Sequence, residues 1–593
     1  MLNKTSLSPS QQQLNSLIEK FKNGRYDEAE KLAVLITQQF PDHQFTWKIL
    51  GVILGQRGRK AEALNANQKA VTLSPQDAIA HNNLGTTLKE LGKLEEAEVS
   101  LRQAIALKPD YALAYNNLGS TLKELGKLEE AEVSYRKSIN LKSDYAESHN
   151  SLGSTLKELG KLEEAEVSLR QAIALKPDFL EAHNNLGFTL KELGRLEEAA
   201  VIYKQAIILK PDFAEAHNNL GGTLQELNKL EEAEVSLRQA IVLKPDFAKA
   251  YLNLGNTLKN LGRLEEAEVS YRKSIKLKPD FADAHNNLGN TLNEVGRLEE
   301  AEACLRQAII LKPGFVEAHN NLGGTLQELN KLEEAEACLR QAIILKPDFA
   351  DAHNNLGKTL YIKGFEVSAL ESIEKANKIN PQSKNFKLLL GFMKARKSRK
   401  ESEIVFDDTS NTASFPGLTS NILILNRVVE AELIANLNGM SSRKLDKTRD
   451  ARYGSGRCSL GFSLFEDTRS IIKTVAKDLT KIMMEAVKSD VYIYDSFFNI
   501  LGAGGGSTPH KHLNKLDKEI AFNLGKKKYS LVYYISVGDQ NCSEPGILKL
   551  YDPVEDILPS EGMITIIPAS RKHSAVYGGV TDRVMIGVNF YSL

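Results

Sequence analysis

The run Asn82-Asn83-Leu84-Gly85-Thr86-Thr87-Leu88-Lys89-Glu90-Leu91-Gly92-Lys93-Leu94-Glu95-Glu96-Ala97 decides the reading of most of this chain. Leu84 and Leu88 stand at i, i+4 and so share one helix face. That spacing predicts a first helix over about Ala80 to Leu91. Gly92 stops it, because glycine enters the left-handed conformation without a Cβ penalty. A second helix is predicted from about Leu94 to Leu107, with Glu95 and Glu96 at its positive end. Pro109 blocks its continuation. Gly85, Ala97 and Ala104 are small enough to let the two helices approach closely.

Outward from this run, the same pattern returns every 34 residues. Asn-Asn-Leu-Gly begins at Asn82, Asn116, Asn184, Asn218, Asn286, Asn320 and Asn354, with variants at Asn150 and Leu252. One alanine keeps phase from Ala29 to Ala369, which counts eleven units, the first two and the last degenerate. Asn228 and Asn330 replace the stop glycine in two units, and asparagine is the next best residue for that conformation. The Leu-Gly pair, the in-phase alanine and the closing proline resemble the tetratricopeptide repeat over residues 8–384. The resemblance implies a right-handed all-α solenoid whose concave face is lined by the first helix of each unit.

The second asparagine of each pair forms a column: Asn83, Asn117, Asn185, Asn219, Asn253, Asn287, Asn321 and Asn355. It resembles the asparagine ladder of the protein O-GlcNAc transferase repeats, which implies an extended protein or peptide partner gripped by its backbone. A carboxamide both donates and accepts, so it can match a backbone amide without reading side chains. The alternatives are that these amides tie neighbouring repeats together, or that near-identical units are recent duplications. The repeat histidines, such as His183 and His217, stand one unit apart, about 10 Å, too far to share a metal with ligand bonds near ~2 Å. They are expected to pack at the position where other units place Trp47, Tyr115 and Tyr251.

At 593 residues the chain exceeds one core and predicts several domains. Lys+Arg and Asp+Glu both total 76, so no net charge draws it to nucleic acid or to an acidic membrane. Four scattered cysteines without a CxxC pair favour a reducing compartment. No apolar leader and no run of eighteen apolar residues is present, and a cytoplasmic location is expected. Residues 385–401 read as a capping helix ending in the basic run Lys394 to Lys400, a solvated helix end near the negative pole. Residues 402–415 read as a polar linker.

From residue 416 the period changes. Thr468 to Val487 is apolar at helical spacing. Short β-rich runs follow: Val491–Tyr494, Phe497–Leu501, Tyr529–Val537, Gly546–Tyr551, Met563–Ile567, His573–Tyr577 and Val584–Phe590, parted by glycine and proline turns. All histidines beyond the repeats are His510, His512 and His573. Two at i, i+2 point the same way on a strand, and a later strand can bring a third.

The order His510-Lys511-His512, Ser530 to Ile535, Gly546 to Pro553, Pro559 to Pro568, His573, then Arg583 and Asn589-Phe590 is similar to the Fe(II)/2-oxoglutarate-dependent dioxygenases of the prolyl-hydroxylase-like kind. The fold class expected is multidomain: an all-α solenoid followed by a double-stranded β-helix (jelly roll) with flanking helices over residues 416–593. The resemblance implies Fe(II) held by His510, His512 and His573, with 2-oxoglutarate and O2 as cosubstrates. It implies that Arg583, ten residues after His573, pairs with the far carboxylate of 2-oxoglutarate. Tyr533 or Tyr534 is expected to add a phenol donor. The family carries Asp or Glu where His512 stands, and Asp517 is the alternative source of a carboxylate. The same stretch fits a cupin pattern loosely, which shares the barrel but not the cosubstrate.

Three functions compete. One is a dioxygenase hydroxylating a protein or peptide that the solenoid presents. Another is a protein-protein interaction scaffold with a degenerate barrel, or a cupin-type metal enzyme without 2-oxoglutarate. Glycosyl transfer, suggested by the repeats alone, fails on size, since about 190 residues cannot hold two Rossmann-like halves.

Overall fold

In the computed structural model, the described residues are 8–403, 422–445, 456–461, 463–501, 505–510, 524–542, 545–551, 554–577, 579 and 581–593. They group into two compact units, Met1–Gly296 and Arg297–Leu593. Through Glu403 the described chain forms 23 helices, from α1 (Gln11–Lys22) to α23 (Lys384–Glu403). The helices alternate as the period predicts: Ala78–Glu90 then Leu94–Leu107, Ala112–Glu124 then Leu128–Leu141. Gly92 takes φ 75°, and Asn228 and Asn330 take φ 57° and 58° at the same stop position. The second helix of the unit has no side-chain N-cap, and Glu95 and Glu96 occupy its first turn.

What brings the two helices together is the glycine of the Leu-Gly pair. A Cβ at Gly85 would lie 2.5 Å from Leu101 Cγ, and one at Gly187 would lie 2.5 Å from the Tyr203 ring. The in-phase alanines Ala97, Ala131 and Ala165 are fully buried beside them. The repeat histidines are structural. Nε2 of His81, His217 and His285 contacts the carbonyl of Pro75, Pro211 and Pro279 at 3.0, 3.1 and 3.1 Å, so each ring ties the first helix to the preceding closing loop.

The second unit holds the last repeats and a β-rich region. Its strands are β1 (Leu423–Asn426), β2 (Ser442–Leu445), β3 (Gly456–Ser459), β4 (Val491–Leu501), β5 (Gly505–His510), β6 (Lys528–Ser536), β7 (Pro545–Leu550), β8 (Glu555–Ile557), β9 (Met563–Pro568), β10 (His573–Tyr577) and β11 (Arg583–Ser592). Its helices beyond α23 are α24 (Ala431–Asn438), α25 (Ser470–Val487) and α26 (Leu524–Lys527). One sheet runs β1-β9-β6-β11-β4-β3-β2 and the other β5-β10-β7-β8, with every described pairing between these strands antiparallel. Two expected runs, Val491–Tyr494 and Phe497–Leu501, are one strand, β4. Its register with β11 slips at Tyr494, which breaks the alternation the sequence shows.

The large sheet has two unlike faces. Phe498, Leu531, Tyr533, Ile586 and Val588 join Ile472, Val475 and Leu479 of α25 in one apolar core. On the other face Tyr534 and Met585 pack with Leu548 and Leu550 of the small sheet. Helix α23 contributes a third core. Leu388, Leu389, Phe392 and Met393 pack with Tyr591 and Leu524, and Tyr492 Oη donates to the Lys384 carbonyl at 3.1 Å. The apolar side of the expected cap is therefore covered by β structure, while Lys394, Arg396 and Lys397 of its basic end are exposed as expected. In its basic tail, Lys394 and Arg396 pair with Glu374 and Glu366 at 3.0 and 3.4 Å. Residues 404–415 of the expected linker lie outside the described residues.

The glycine contacts predict opposite effects for two alanine substitutions. Gly187→Ala drives a methyl into the Tyr203 ring and is expected to cost about 1–3 kcal/mol. Gly222→Ala meets only Asn253 Nδ2 at 3.8 Å and is expected to stabilise by about 0.5–1 kcal/mol through helix propensity. Urea denaturation of the full-length variants checks both, and shifts of one sign would contradict this packing.

Candidate functional site

The asparagine column sits half-buried on the first helix of each repeat. Much of its donor capacity is turned onto the protein itself. In the first unit, Nδ2 of Asn117, Asn185, Asn219 and Asn253 donates to Oδ1 of Asn82, Asn150, Asn184 and Asn218 at 2.9, 3.0, 2.7 and 2.9 Å. Asn287 donates to Asn256 Oδ1 at 2.8 Å. In the second unit Asn355 donates to Asn320 at 3.0 Å. Asn218 and Asn286 also donate to Asn219 and Asn287 at 3.1 and 3.0 Å. The amides thus stitch consecutive repeats. Each still carries a second N–H that these bonds do not use. Asn83 and Asn321 occupy the same helix position.

Of the other candidates, Arg583 and Tyr534 lie between the two sheets, and His510 and His573 lie on adjacent strands of the small one. His510 ends β5 and His573 begins β10, and the two face each other in register on adjacent strands. His573 is 6% exposed. Its Nδ1 lies 3.2 Å from the Arg571 carbonyl, which can only accept, so Nδ1 is the donor in that contact. His512 and Asp517 lie outside the described residues, so the choice between them is not made by this geometry. Among the described residues no three metal-ligating side chains cluster.

Arg583 is the largest fully buried side chain, 1% exposed. It is not a surface ion pair with Asp582. Nε donates to the Val537 carbonyl at 3.2 Å, Nη1 to Gly546 at 2.7 Å and Nη2 to Pro545. The guanidinium lies 4.7 Å from the Tyr577 ring centroid and 6.0 Å from that of Tyr534. Gly546, at φ 77°, makes the approach feasible, since a Cβ there would fall 2.0 Å from Nη1. Burial lowers the Arg583 pKa. Among the described residues no carboxylate pairs with it. A guanidinium has five N–H groups. The three carbonyls leave one N–H on each terminal nitrogen, the number a carboxylate accepts in a bidentate pair.

Strand parity separates the two candidate tyrosines. Tyr534 faces Arg583, and burial pushes its phenol up to about 12, so at neutral pH it is a donor. Tyr533 points to the opposite face. Its hydroxyl meets Arg427 Nη1 at 3.1 Å and the Val428 carbonyl at 3.2 Å, in a cluster with Glu430 and Asp478. Tyr533 is thereby removed from the cosubstrate candidates.

The sequence reading missed a polar row on the inner face of the large sheet. Asn589 on β11 stands between Asp495 on β4 and Ser530 on β6 in register. Asn589 Nδ2 donates to Asp495 Oδ1 at 2.7 Å, and burial raises the Asp495 pKa. Counting by two from Arg583 along β11 reaches Asn589, which is the signal that would have found it.

Comparison with known proteins reaches the helical part. A family model described as the cilia and flagella-associated protein 70 C-terminal domain matches residues 146–355. Tetratricopeptide repeat models match residues 17–78, 66–99, 85–126 and 110–178. No curated protein matches the chain. Similar solved structures include YrrB, described as a TPR protein with an unusual peptide-binding site. It is 24% identical, with 31% of this chain and 95% of that one covered and a TM-score of 0.27. The Cut9–Hcn1 hetero-tetramer structure is 12% identical, covers 64% and 95%, and has a TM-score of 0.35. Pseudomonas aeruginosa pilF is 20% identical, covers 35% and 94%, and has a TM-score of 0.32. Among the described residues no helix is long and apolar enough to cross a membrane. Residues 17–178 carry tetratricopeptide repeats, and the helical part of the chain is a TPR-like solenoid ahead of a β-rich region of antiparallel sheets.

Proposed function

We propose that the β-rich region is a double-stranded β-helix working as an Fe(II)/2-oxoglutarate-dependent dioxygenase on a protein or peptide held by the repeats. The observation that carries this reading is Arg583, a buried guanidinium without a carboxylate partner among the described residues, aimed with Tyr534 into the space between two sheets. The strand order supports it. Numbered in sequence, the eight strands β4 to β11 alternate between the sheets as first-eighth-third-sixth and second-seventh-fourth-fifth, the order of a jelly roll.

The residues suit the groups the reading needs. Imidazole is a ligand that Fe(II) accepts, and His510 and His573 end neighbouring strands where two such ligands can share one ion. His512 or Asp517 would complete the set. Bound Fe(II) with 2-oxoglutarate would supply the activation of O2 for hydroxylation. Arg583 would hold the far carboxylate through two N–H groups, with Tyr534 donating a further hydrogen bond. Leu548 and Leu550 line the same space with apolar surface and keep water from it. The repeats would serve protein–protein interaction, as solenoid surfaces commonly do. The second N–H of Asn185, Asn219, Asn253, Asn287 and Asn355 is the group left for a peptide carbonyl, whereas Asn117 also donates to Thr86 Oγ1 at 3.2 Å.

A second reading, a binding scaffold with a retired barrel, keeps the repeats and discards the cosubstrate. Succinate release and 2-oxoglutarate affinity separate the two. The full chain with Fe(II) is expected to bind 2-oxoglutarate, with Arg583→Gln weakening it at least tenfold, the loss of one charge-assisted pair of about 1.5–3 kcal/mol. Tyr534→Phe is expected to weaken it several-fold. Tyr533→Phe is expected to leave affinity unchanged and to lower stability by about 1 kcal/mol. Affinity indifferent to Arg583→Gln, or no succinate under any peptide, would favour the scaffold.

The stitching amides generate a separate expectation. Asn219→Ala and Asn253→Ala should each lower stability by about 1 kcal/mol for one lost side-chain bond. Chemical denaturation of each variant checks it, and an unchanged midpoint would mean that the column is free for ligand.

A further inference from the structure

We propose that Asp495, Asn589 and Ser530 form a substrate-recognition site inside the β region that takes a neutral N–H donor, a carboxamide side chain of the substrate peptide. Its part in turnover rests on the dioxygenase reading. Its existence as a binding site does not.

The three residues stand side by side on β4, β11 and β6. Asn589 is 8% exposed, and its Oδ1 has no hydrogen-bond partner among the described residues. A buried carbonyl left unmade costs about 1–3 kcal/mol. The Asn589–Asp495 bond fixes the amide so that this oxygen is presented as an acceptor. An acceptor held open in a buried polar row is a place for a donor to arrive.

Position supports the assignment. Arg583 and Asn589 share one face of β11, six residues or about 20 Å apart. Between them Gly587 is covered by the Phe497 ring, which would lie 2.5 Å from a Cβ there. Strand β10 ends at Tyr577, beneath Arg583, and begins at His573 about 13 Å back along the strand. Leu550, paired with His573, packs in one cluster with Tyr534 and Met585, so His573 lies at a level between Arg583 and Asn589. A cosubstrate anchored at Arg583 and reaching toward His573 leaves the polar row on the far side of that histidine, unoccupied by it.

Charge selects the ligand class. Lys528 is buried with its Nζ 5.3 Å from the ring centroids of Tyr494 and Tyr591, and both it and Lys384 act on the Asp495 carboxyl. These cations disfavour an incoming ammonium or guanidinium. The Asp495 carboxyl and the Asn589 carbonyl disfavour an incoming carboxylate. A primary amide is neutral and carries two N–H groups, enough for Asn589 Oδ1 and an Asp495 oxygen together.

The test uses the metal-free full chain and three small probes: the N-acetyl N-methylamides of asparagine, leucine and lysine. Saturation-transfer NMR is expected to show the asparagine probe bound, with the other two at one-fifth of its signal or less. Asn589→Leu should cut the asparagine signal at least fivefold. Asn589→Asp, nearly isosteric, should reverse the preference toward lysine, which keeps the test decisive if the leucine variant does not fold. Equal signals for the three probes, or an asparagine signal indifferent to both variants, would overturn the site. Selective asparagine binding to a chain that takes up no 2-oxoglutarate with Fe(II) would overturn the dioxygenase reading alone. Uptake of 2-oxoglutarate without selective asparagine binding would overturn the site alone.

Discussion

The repeats after the first depend on one close approach, in which a first-helix glycine lies directly against a side chain of the second helix. Gly85 meets Leu101, Gly119 meets Tyr135 and Gly187 meets Tyr203. No side chain larger than hydrogen fits there without displacing its neighbour. The closeness buries the in-phase alanines completely and lets each helix pair present a regular surface to the next. On that surface the paired asparagines bond from repeat to repeat, and the histidines reach the closing prolines. The packing, the polar stitching and any use of the remaining amide groups thus follow from a single steric condition repeated at 34-residue intervals.

In the second unit the same chain changes from helix stacking to a sheet buried on both faces. One face is closed by α25 and is mainly apolar, its polar groups paired in the Tyr533 cluster. The inner face carries Arg583, Tyr534, Asn589, Asp495 and Ser530 among apolar neighbours. Burying that much polarity is expensive unless it is paired or used. The Tyr533 cluster shows what pairing looks like, since Arg427 meets Glu430 and Asp478 at once. Among the described residues Arg583 has carbonyl and ring partners but no carboxylate, and Asn589 keeps an open acceptor. The contrast between the two faces is the physical ground for placing chemistry on the inner one.

The helical part was legible because a 34-residue period repeats each weak signal eleven times. Helix ends, the left-handed stops at Asn228 and Asn330, and the structural role of the repeat histidines all followed from it. The partners of the column amides were not legible, because they lie 31 or 35 residues away and depend on how repeats stack. In the β-rich part most of the longer strands were found, but β1, β2, β3 and β8 were missed, being three or four residues each, and so was β5, which opens on the glycine run read as a turn. Tyr533 and Tyr534 could not be told apart from sequence because β6 is buried on both faces, so polarity does not mark the inner side. Asn589 was named only within the resemblance and given no role, because β11 too is buried on both faces and its inner side is not marked by polarity.

The account turns on whether His510 and His573, opposed on β5 and β10, hold one metal ion. X-ray absorption at the iron edge of the anaerobic, Fe(II)-loaded full chain measures this directly. The account predicts outer-shell scattering from at least two imidazoles, falling by one in His573→Ala. A first shell of oxygen ligands alone, unchanged by that substitution, would contradict it.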